Sequence, residues 1–517
     1  MTARFFSLLL AGLLVGPASA QTAVDALRYA DRAPVIGLRT AGLGGAAYAG
    51  WADPTALVTN PAGLGFYRVS EVSAALAQAG TQSRATYRIG TLATEEQADA
   101  RAMRLDGLSF VGKVRTLRGS LVFGAGFQQT TAFDRLRTFG AETDRTSVSF
   151  GLVDRALADY HVQNGDISFG DNLARIGYEA GLIDYVPSDS SNTFSYPFYT
   201  AVLPNTTVQQ LSRLDEEGAM NELTFGWAIE TAPGLMVGAS LGLSFGRYRF
   251  SQRFEERDVN DENRAGDFSL TIDGITYAGF DQATVRDRFE DRLAGVNARF
   301  GLAYQAPGSG IRLGASLETP TYYTIQEDYS TEIETRFDNG RLLSYGGRTG
   351  DAGTGDFEFT LQTPWRLGAG ARAAFGPLTL TGDVEYVDWA SMRLDAATEP
   401  GYFDAANEDI EEGLEPTLSP RVGAELGMGS LAVRVGYAFQ PDPRQDKTFL
   451  GQESDRSRTH LTGGLTFSVS SHAALDVALG FTTFGDEYQP YVDDVERPFV
   501  RDEAQRLRVA VGLRVAL

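Results

Sequence analysis

From about residue 69 the chain falls into segments in which apolar and polar residues alternate one for one, the period of a half-buried β-strand. The last of these is the clearest. In "RLRVAVGLRVAL", Leu507, Val509, Val511, Leu513, Val515 and Leu517 occupy one face and Arg506, Arg508, Ala510, Gly512, Arg514 and Ala516 the other. Similar patterns cover 69–80, 107–117, 119–130, 220–231, 234–252, 292–306, 309–327, 364–375, 377–390, 419–428, 430–440, 458–469, 473–485 and 505–517, which predicts fourteen strands.

The links alternate in length. Strands two and three meet at LRGS, four and five at TAPG, six and seven at APGSG, eight and nine at FGP, ten and eleven at GMGS, and twelve and thirteen at SVSS. The intervening links run from about 17 to about 90 residues and are rich in Asp, Glu, Asn and Gly; short turns on one side and long loops on the other mark an outer-membrane barrel. The expected fold is therefore all-β: an antiparallel transmembrane β-barrel of fourteen strands. An arginine at the lipid midplane costs about 2–4 kcal/mol, so Arg506, Arg508 and Arg514 are expected in a hydrated lumen, with their aliphatic neighbours in lipid. Tyr248, Phe250, Tyr322, Tyr323, Tyr386, Trp389, Phe481 and Phe484 lie near the ends that lead into long loops, where an interfacial aromatic girdle is expected.

Targeting agrees with this reading. "MTARFFSLLLAGLLVGPASA" has a basic start at Arg4, a short apolar run and Ala18-Ser19-Ala20 before Gln21, the form of a cleaved signal peptide over 1–20. Later in the chain there is no run of ~20 apolar residues, so a spanning helix is not expected. With no cysteine, disulfides and thiolate chemistry are excluded. The net charge of −22, with Lys113 and Lys447 the only lysines, disfavours a nucleic-acid partner. None of the three histidines, His161, His460 and His472, lies in a catalytic motif, so neither an enzyme nor a cofactor is expected. "DVNDENRAGD" (258–267) lacks the spacing of a calcium loop and reads as solvated, so no metal site is expected.

Before the first strand lies "TAGLGGAAYAGWADPTALVTNPAGLGFY" (40–67), rich in small residues, with a turn at Asp53-Pro54 and the triplet Asn60-Pro61-Ala62. With "TPWRLGAGARAAFGPLTLTGDVEYVDWASMRL" and "ALDVALGFTTF", this stretch resembles the FadL family of outer-membrane transporters for long-chain fatty acids and hydrocarbons. The resemblance implies three parts: a plug over 21–68, a barrel over 69–517 and a long extracellular loop at 131–219. It further implies capture of a hydrophobic small molecule at the outer loops, passive passage, and sideways release near the third strand, where Gly124 and Gly126 are candidate kink positions. Gly42, Gly44, Asn60, Pro61 and Ala62 are the plug and gate candidates; Asn60 either fixes the turn before Pro61 or lines the channel.

In the long loop, Phe150, Val153, Leu157 and Tyr160 share helical spacing, as do Leu173, Ile176, Ala180 and Ile183. Two helices there either cap the barrel or leave an apolar groove for an acyl chain. Arg366, Arg372, Arg434, Arg508 and Arg514 face inward and are candidates for a carboxylate, which a guanidinium binds through two parallel hydrogen bonds. The expected location is the outer membrane, with its lipid as surroundings. The alternative function is a FadL-like barrel that anchors or secretes another protein through its loops.

Overall fold

The computed structural model describes residues 23–34, 36–163, 166–186, 197–445, 455–493 and 495–517, so the predicted signal peptide lies outside the described residues. Fourteen antiparallel strands close into a barrel. They are β1 (Glu71–Ile89), β2 (Leu92–Val114), β3 (Leu121–Ala132), β4 (Val208–Ala232), β5 (Leu235–Asp258), β6 (Gln282–Gln305) and β7 (Ile311–Glu318), then β8 (Arg366–Phe375), β9 (Leu378–Asp388), β10 (Pro416–Met428), β11 (Leu431–Gln440), β12 (Arg458–Ser468), β13 (Ala473–Tyr488) and β14 (Phe499–Ala516). β14 pairs with β1 from Glu71↔Ala516 to Arg88↔Phe499, which closes the barrel wall.

All fourteen predicted segments become strands, and their faces divide as the alternation requires. Leu223, Phe225 and Trp227 on β4, Leu241, Leu243 and Phe245 on β5, and Leu507, Val511 and Leu513 on β14 are exposed on the outside. The arginines between the β14 aliphatics point inward. Arg508 pairs with Asp106, Arg514 Nε meets Asp476 Oδ2 at 2.5 Å, and Arg506 Nε donates to Thr81 at 2.9 Å. An apolar belt outside and a polar interior make this a barrel that spans a membrane.

Two expectations fail. The girdle is incomplete because successive strand residues face opposite ways. Tyr322, Tyr386 and Phe481 are exposed outside, whereas Tyr248, Tyr323 and Trp389 are buried inside. The first long link is also no loop, since β1 and β2 run as one hairpin to a turn at Gly90, paired down to Ile89↔Leu92. β4, β5 and β6 likewise continue far beyond the belt, where outward positions carry Arg247, Arg249, Arg288 and Arg292 instead of aliphatics. Alternation tuned to lipid does not register such stretches.

At the loop end, α2 (Val148–Ala158) and α3 (Asn172–Glu179) close the top of the barrel. Ser147 caps α2 and Asp171 caps α3, each accepting a backbone N–H of the first turn. Leu152, Ala156, Ile176 and Ile183 are buried in one core with Tyr87, Phe139 and Phe254 of the strands and with Phe337. The two helices pack on one another, so this is a cap and not an open groove.

Candidate functional site

Residues 36–67 lie inside the lower barrel and form three short 3-10 turns, Ala41–Leu43, Pro54–Leu57 and Pro61–Phe66. Each proline turn starts in the same way. Asp53 Oδ1 accepts Thr55 N–H at 3.0 Å, Asn60 Oδ1 accepts Ala62 N–H at 3.1 Å, and the following proline needs no donor at the first helical position. Asn60 does more than cap its turn. Its Nδ2 donates to Tyr48 O at 2.7 Å within the segment and to Leu302 O at 3.0 Å on β6, so one buried amide ties the segment to itself and to the wall.

The wall is cut to receive this segment. At Gly238, an added Cβ would lie 2.5 Å from Pro61 C and 2.6 Å from Ala62 N; at Gly423 it would lie 2.7 Å from Leu43 O. Gly301, Gly314, Gly368, Gly370 and Gly436 leave room for Asn60, Tyr48, Ala49 and Leu43–Gly44 in the same way. Gly44 needs its own freedom as well, with φ +68° and no space for a Cβ beside Tyr437 O. Gly42 sits against Gly464, at 3.0 Å for an added Cβ. Polar wall groups complete the seat: Thr462 accepts Gly44 N–H at 2.9 Å, Asp383 accepts Tyr48 N–H at 2.6 Å, and Ser240 donates to Leu57 O at 2.8 Å.

Above the segment lies a cavity of about 410 Å³. Helix α1 (Ala23–Ala30) forms part of its lining, held by Tyr29 donating to Asp291 and by Arg366 Nη2 donating to Ala30 O at 2.6 Å. One part of the wall is aromatic, with Phe133, Phe250, Phe289, Trp389 and Phe484. Another is cationic. Arg135, Arg458 and Arg506 stand with their guanidinium carbons 5.1, 5.7 and 5.6 Å from the centre of the Phe484 ring. Arg135 pairs with Asp486 and Asp502, and Arg458 with Asp31. Arg506 is different: its donors go to Thr81 Oγ1, Ala132 O at 2.8 Å and Asp134 O at 3.3 Å, all neutral acceptors.

A second cavity of about 40 Å³ lies beside the inner segment, at the junction of β2 and β3. Its lining runs from Leu38, Asp53 and Leu57 to Leu108, whose side chain is half exposed on the lipid face. The ladder is irregular here. β1 skips Asp106 in its pairing with β2, the β2–β3 ladder ends at Gly107↔Gln128, and β3 slips against β4 between Gln129 and Thr131. Gln128 spans the gap by donating to Asp106 O at 2.8 Å. Gly124 and Gly126 are not kinked; both keep their ladders, and they make room for Leu57.

The sequence candidates are thus dispersed. Of the cap residues, Ile176 and Ile183 are core, Val153, Leu157 and Leu173 pack at its edge, and Phe150 is half-buried outside it; none lines the main cavity. Arg366 and Arg508 do line it but are paired, with Glu385 at 3.2 Å and with Asp106. Arg434 is held by Glu425 at 2.6 Å and Thr466 at 2.7 Å, and Arg372 lies lower, its guanidinium carbon 4.0 Å from the centre of the Trp51 ring. The sequence reading missed Phe133, Phe289, Arg135 and Arg458, while Phe250 and Phe484 were assigned to the girdle.

The chain is thus a fourteen-stranded membrane barrel with a folded segment seated in its lumen. The solved structures most like it include the Pseudomonas putida toluene transporter TodX, with a TM-score of 0.52 and 13% identity over 94% of this chain and 99% of that one. They also include a Pseudomonas aeruginosa FadL homologue, with a TM-score of 0.51 and 13% identity over 93% and 98% of the two chains. The chain has the fold of these FadL-type barrels. No protein-family model matches it, and no curated protein matches it in sequence.

Proposed function

We propose that this protein is an outer-membrane channel that passively admits hydrophobic small molecules, with amphipathic acids such as long-chain fatty acids as its preferred cargo. The observation that carries this reading is Arg506, a largely enclosed guanidinium that meets no carboxylate among the described residues, on the wall of a cavity of which one part is aromatic. An apolar tail lies against Phe250, Phe289 and Phe484 while its carboxylate neutralises Arg506 in a poorly solvated site, where a charge-assisted pair is strongest. A plain hydrocarbon gains only the first of these contacts. The fold neighbours described as a toluene transporter and a FadL homologue support a hydrophobic cargo for this chain too.

In this reading residues 36–67 act as the plug and the helical cap as the outer gate. The ion-paired Arg366, Arg434 and Arg508 keep the lumen rigid. Release runs sideways between β2 and β3, where the small cavity meets the lipid-facing Leu108 and Gln128 bridges the gap. The test is uptake of labelled palmitate and labelled hexadecane by cells with the protein, without it, and with Arg506→Gln. The expected result is protein-dependent uptake of palmitate that falls roughly tenfold in the variant, the loss of one charge-assisted contact, with hexadecane uptake unchanged. Equal palmitate uptake with and without the protein overturns the proposal.

A further inference from the structure

The inner faces of β7 and β8 change character from one end of the barrel to the other. The facing pairs run Glu318↔Arg366, Ser316↔Gly368, Gly314↔Gly370 and Arg312↔Arg372. The first pair lies above the seated segment, the two glycine-containing pairs hold Tyr48 and Ala49, and the last pair lies below, near the tight turns. Two arginines therefore face each other directly across neighbouring strands, an arrangement that is unfavourable unless something neutralises it.

Among the described residues no carboxylate pairs with either of them. The inward neighbours on either side are Gln305 on β6 and Thr381 on β9, both neutral. Arg312 donates to Gln305 Oε1 at 3.0 Å and to Gly50 O, and its guanidinium carbon stands 3.5 Å from the centre of the Phe66 ring. Among the described residues the contact of Arg372 is with the Trp51 ring, over which Arg39 also stands at 4.5 Å. The nearby carboxylate of Glu425 is already taken, by Arg39 at 2.6 Å and Arg434 at 2.6 Å. Both Arg312 and Arg372 are half-buried, enclosed enough to order an anion and open enough to admit one.

We infer that Arg312 and Arg372 form an exit-side binding site for the carboxylate of an amphipathic acid, beneath the inner segment and separate from the cavity at Arg506. A carboxylate there accepts from both guanidiniums and removes their mutual repulsion, so it is held only while both arginines are present. Beside the sideways route, the site gives the share of cargo that passes the segment a second, charge-matched station at the periplasmic mouth. It rests on the reading of the cargo as an amphipathic acid.

Trp51 supplies the reporter. In one protein Trp227, Trp365 and Trp389 are replaced by Phe, leaving Trp51 alone; in a second, Trp389 on the cavity wall is the only tryptophan. Both are titrated in a non-ionic detergent with decanoate, decanol, decyltrimethylammonium and inorganic phosphate, and folding of each variant is checked by its heat-dependent gel mobility. The expected result is a saturable change in Trp51 emission with decanoate but not with the other three, weakened roughly tenfold by Arg372→Gln and by Arg312→Gln, while the Trp389 titration is unaffected. Arg372→Gln is the cleaner variant, since Arg372 makes no hydrogen bond that holds the inner segment. A silent Trp51 in a protein whose Trp389 responds overturns the exit site alone; silence of both overturns the cargo reading with it. An equal response to inorganic phosphate, or one indifferent to both substitutions, reduces the site to an adventitious anion position and also overturns the proposal.

Discussion

Replacing Gly238 by alanine tests whether the inner segment closes the barrel. The new methyl would stand 2.5–2.7 Å from Pro61 C, Ala62 N and Pro61 O, against 3.4 Å where ordinary contact begins, so the Asn60-Pro61-Ala62 turn must retreat by about 0.8 Å. A shift of that size away from the wall takes the bond from Asn60 Nδ2 to Leu302 O, now 3.0 Å, out of hydrogen-bonding range. Overpacking costs about 1–3 kcal/mol and the lost bond about 1 more, so the seated state weakens by roughly 2–4 kcal/mol. The unseated fraction then rises by about 30- to 1,000-fold. The outward face is untouched, so the barrel itself should assemble and keep its heat-dependent gel mobility. Single-channel conductance in a planar bilayer reads the effect as far more frequent openings than in wild type. Gly382→Ala is the control, because a Cβ there meets Arg421 O and Val422 Cγ1 at 3.8 and 3.9 Å, ordinary contacts. Wild-type conductance in a correctly assembled Gly238→Ala protein would refute the idea that these glycines seat a closure.

Two further predictions concern the wall and the cap. Gln128→Phe fills the small cavity between β2 and β3, so palmitate uptake should fall severalfold while decanoate binding reported by Trp389 alone stays as it was; unchanged uptake would rule out release at that junction. Glu256 lies on β5 eleven positions past Phe245, about 36 Å along the strand from the lipid belt, and burial in the cap core pushes its pKa up from 4.5 to about 7, against the opposing pull of hydrogen bonds from Ser147, Val148 N–H and Gln210. A raised folded-state value means stability present below the unfolded value near 4.5 and lost as pH rises through 7, about 3 kcal/mol across that window. Limited proteolysis of the α2–α3 region should therefore be faster at pH 8 than at pH 5, and Glu256→Gln should remove the difference.

The strands were legible because lipid imposes a strict rule on every outward residue, and the β14 alternation of Leu507 to Leu513 with Arg506 to Arg514 obeys it. The cavity was not, because it is built where that rule lapses. Phe289 and Arg135 lie past the belt, in stretches whose outward neighbours are charged and whose alternation is correspondingly faint. Asn60 was legible as a cap before proline, yet its bond to Leu302 joins residues far apart in the chain and carries no local signal. Among the candidate arginines, inward direction followed from periodicity alone. Which of them lacks an acid depends on cross-strand register: Arg366 meets Glu385 and Arg434 meets Glu425, while Arg372 is placed opposite Arg312.

The pairing of Glu71 with Ala516 also constrains how the molecule comes into being. A cylinder stitched shut by its first and last staves can form only once the last stave has been made, and contacts at such sequence separation are slow to find. Until then both raw margins invite neighbouring chains. Its manufacture therefore depends on being kept apart from its own kind for the whole journey from ribosome to membrane.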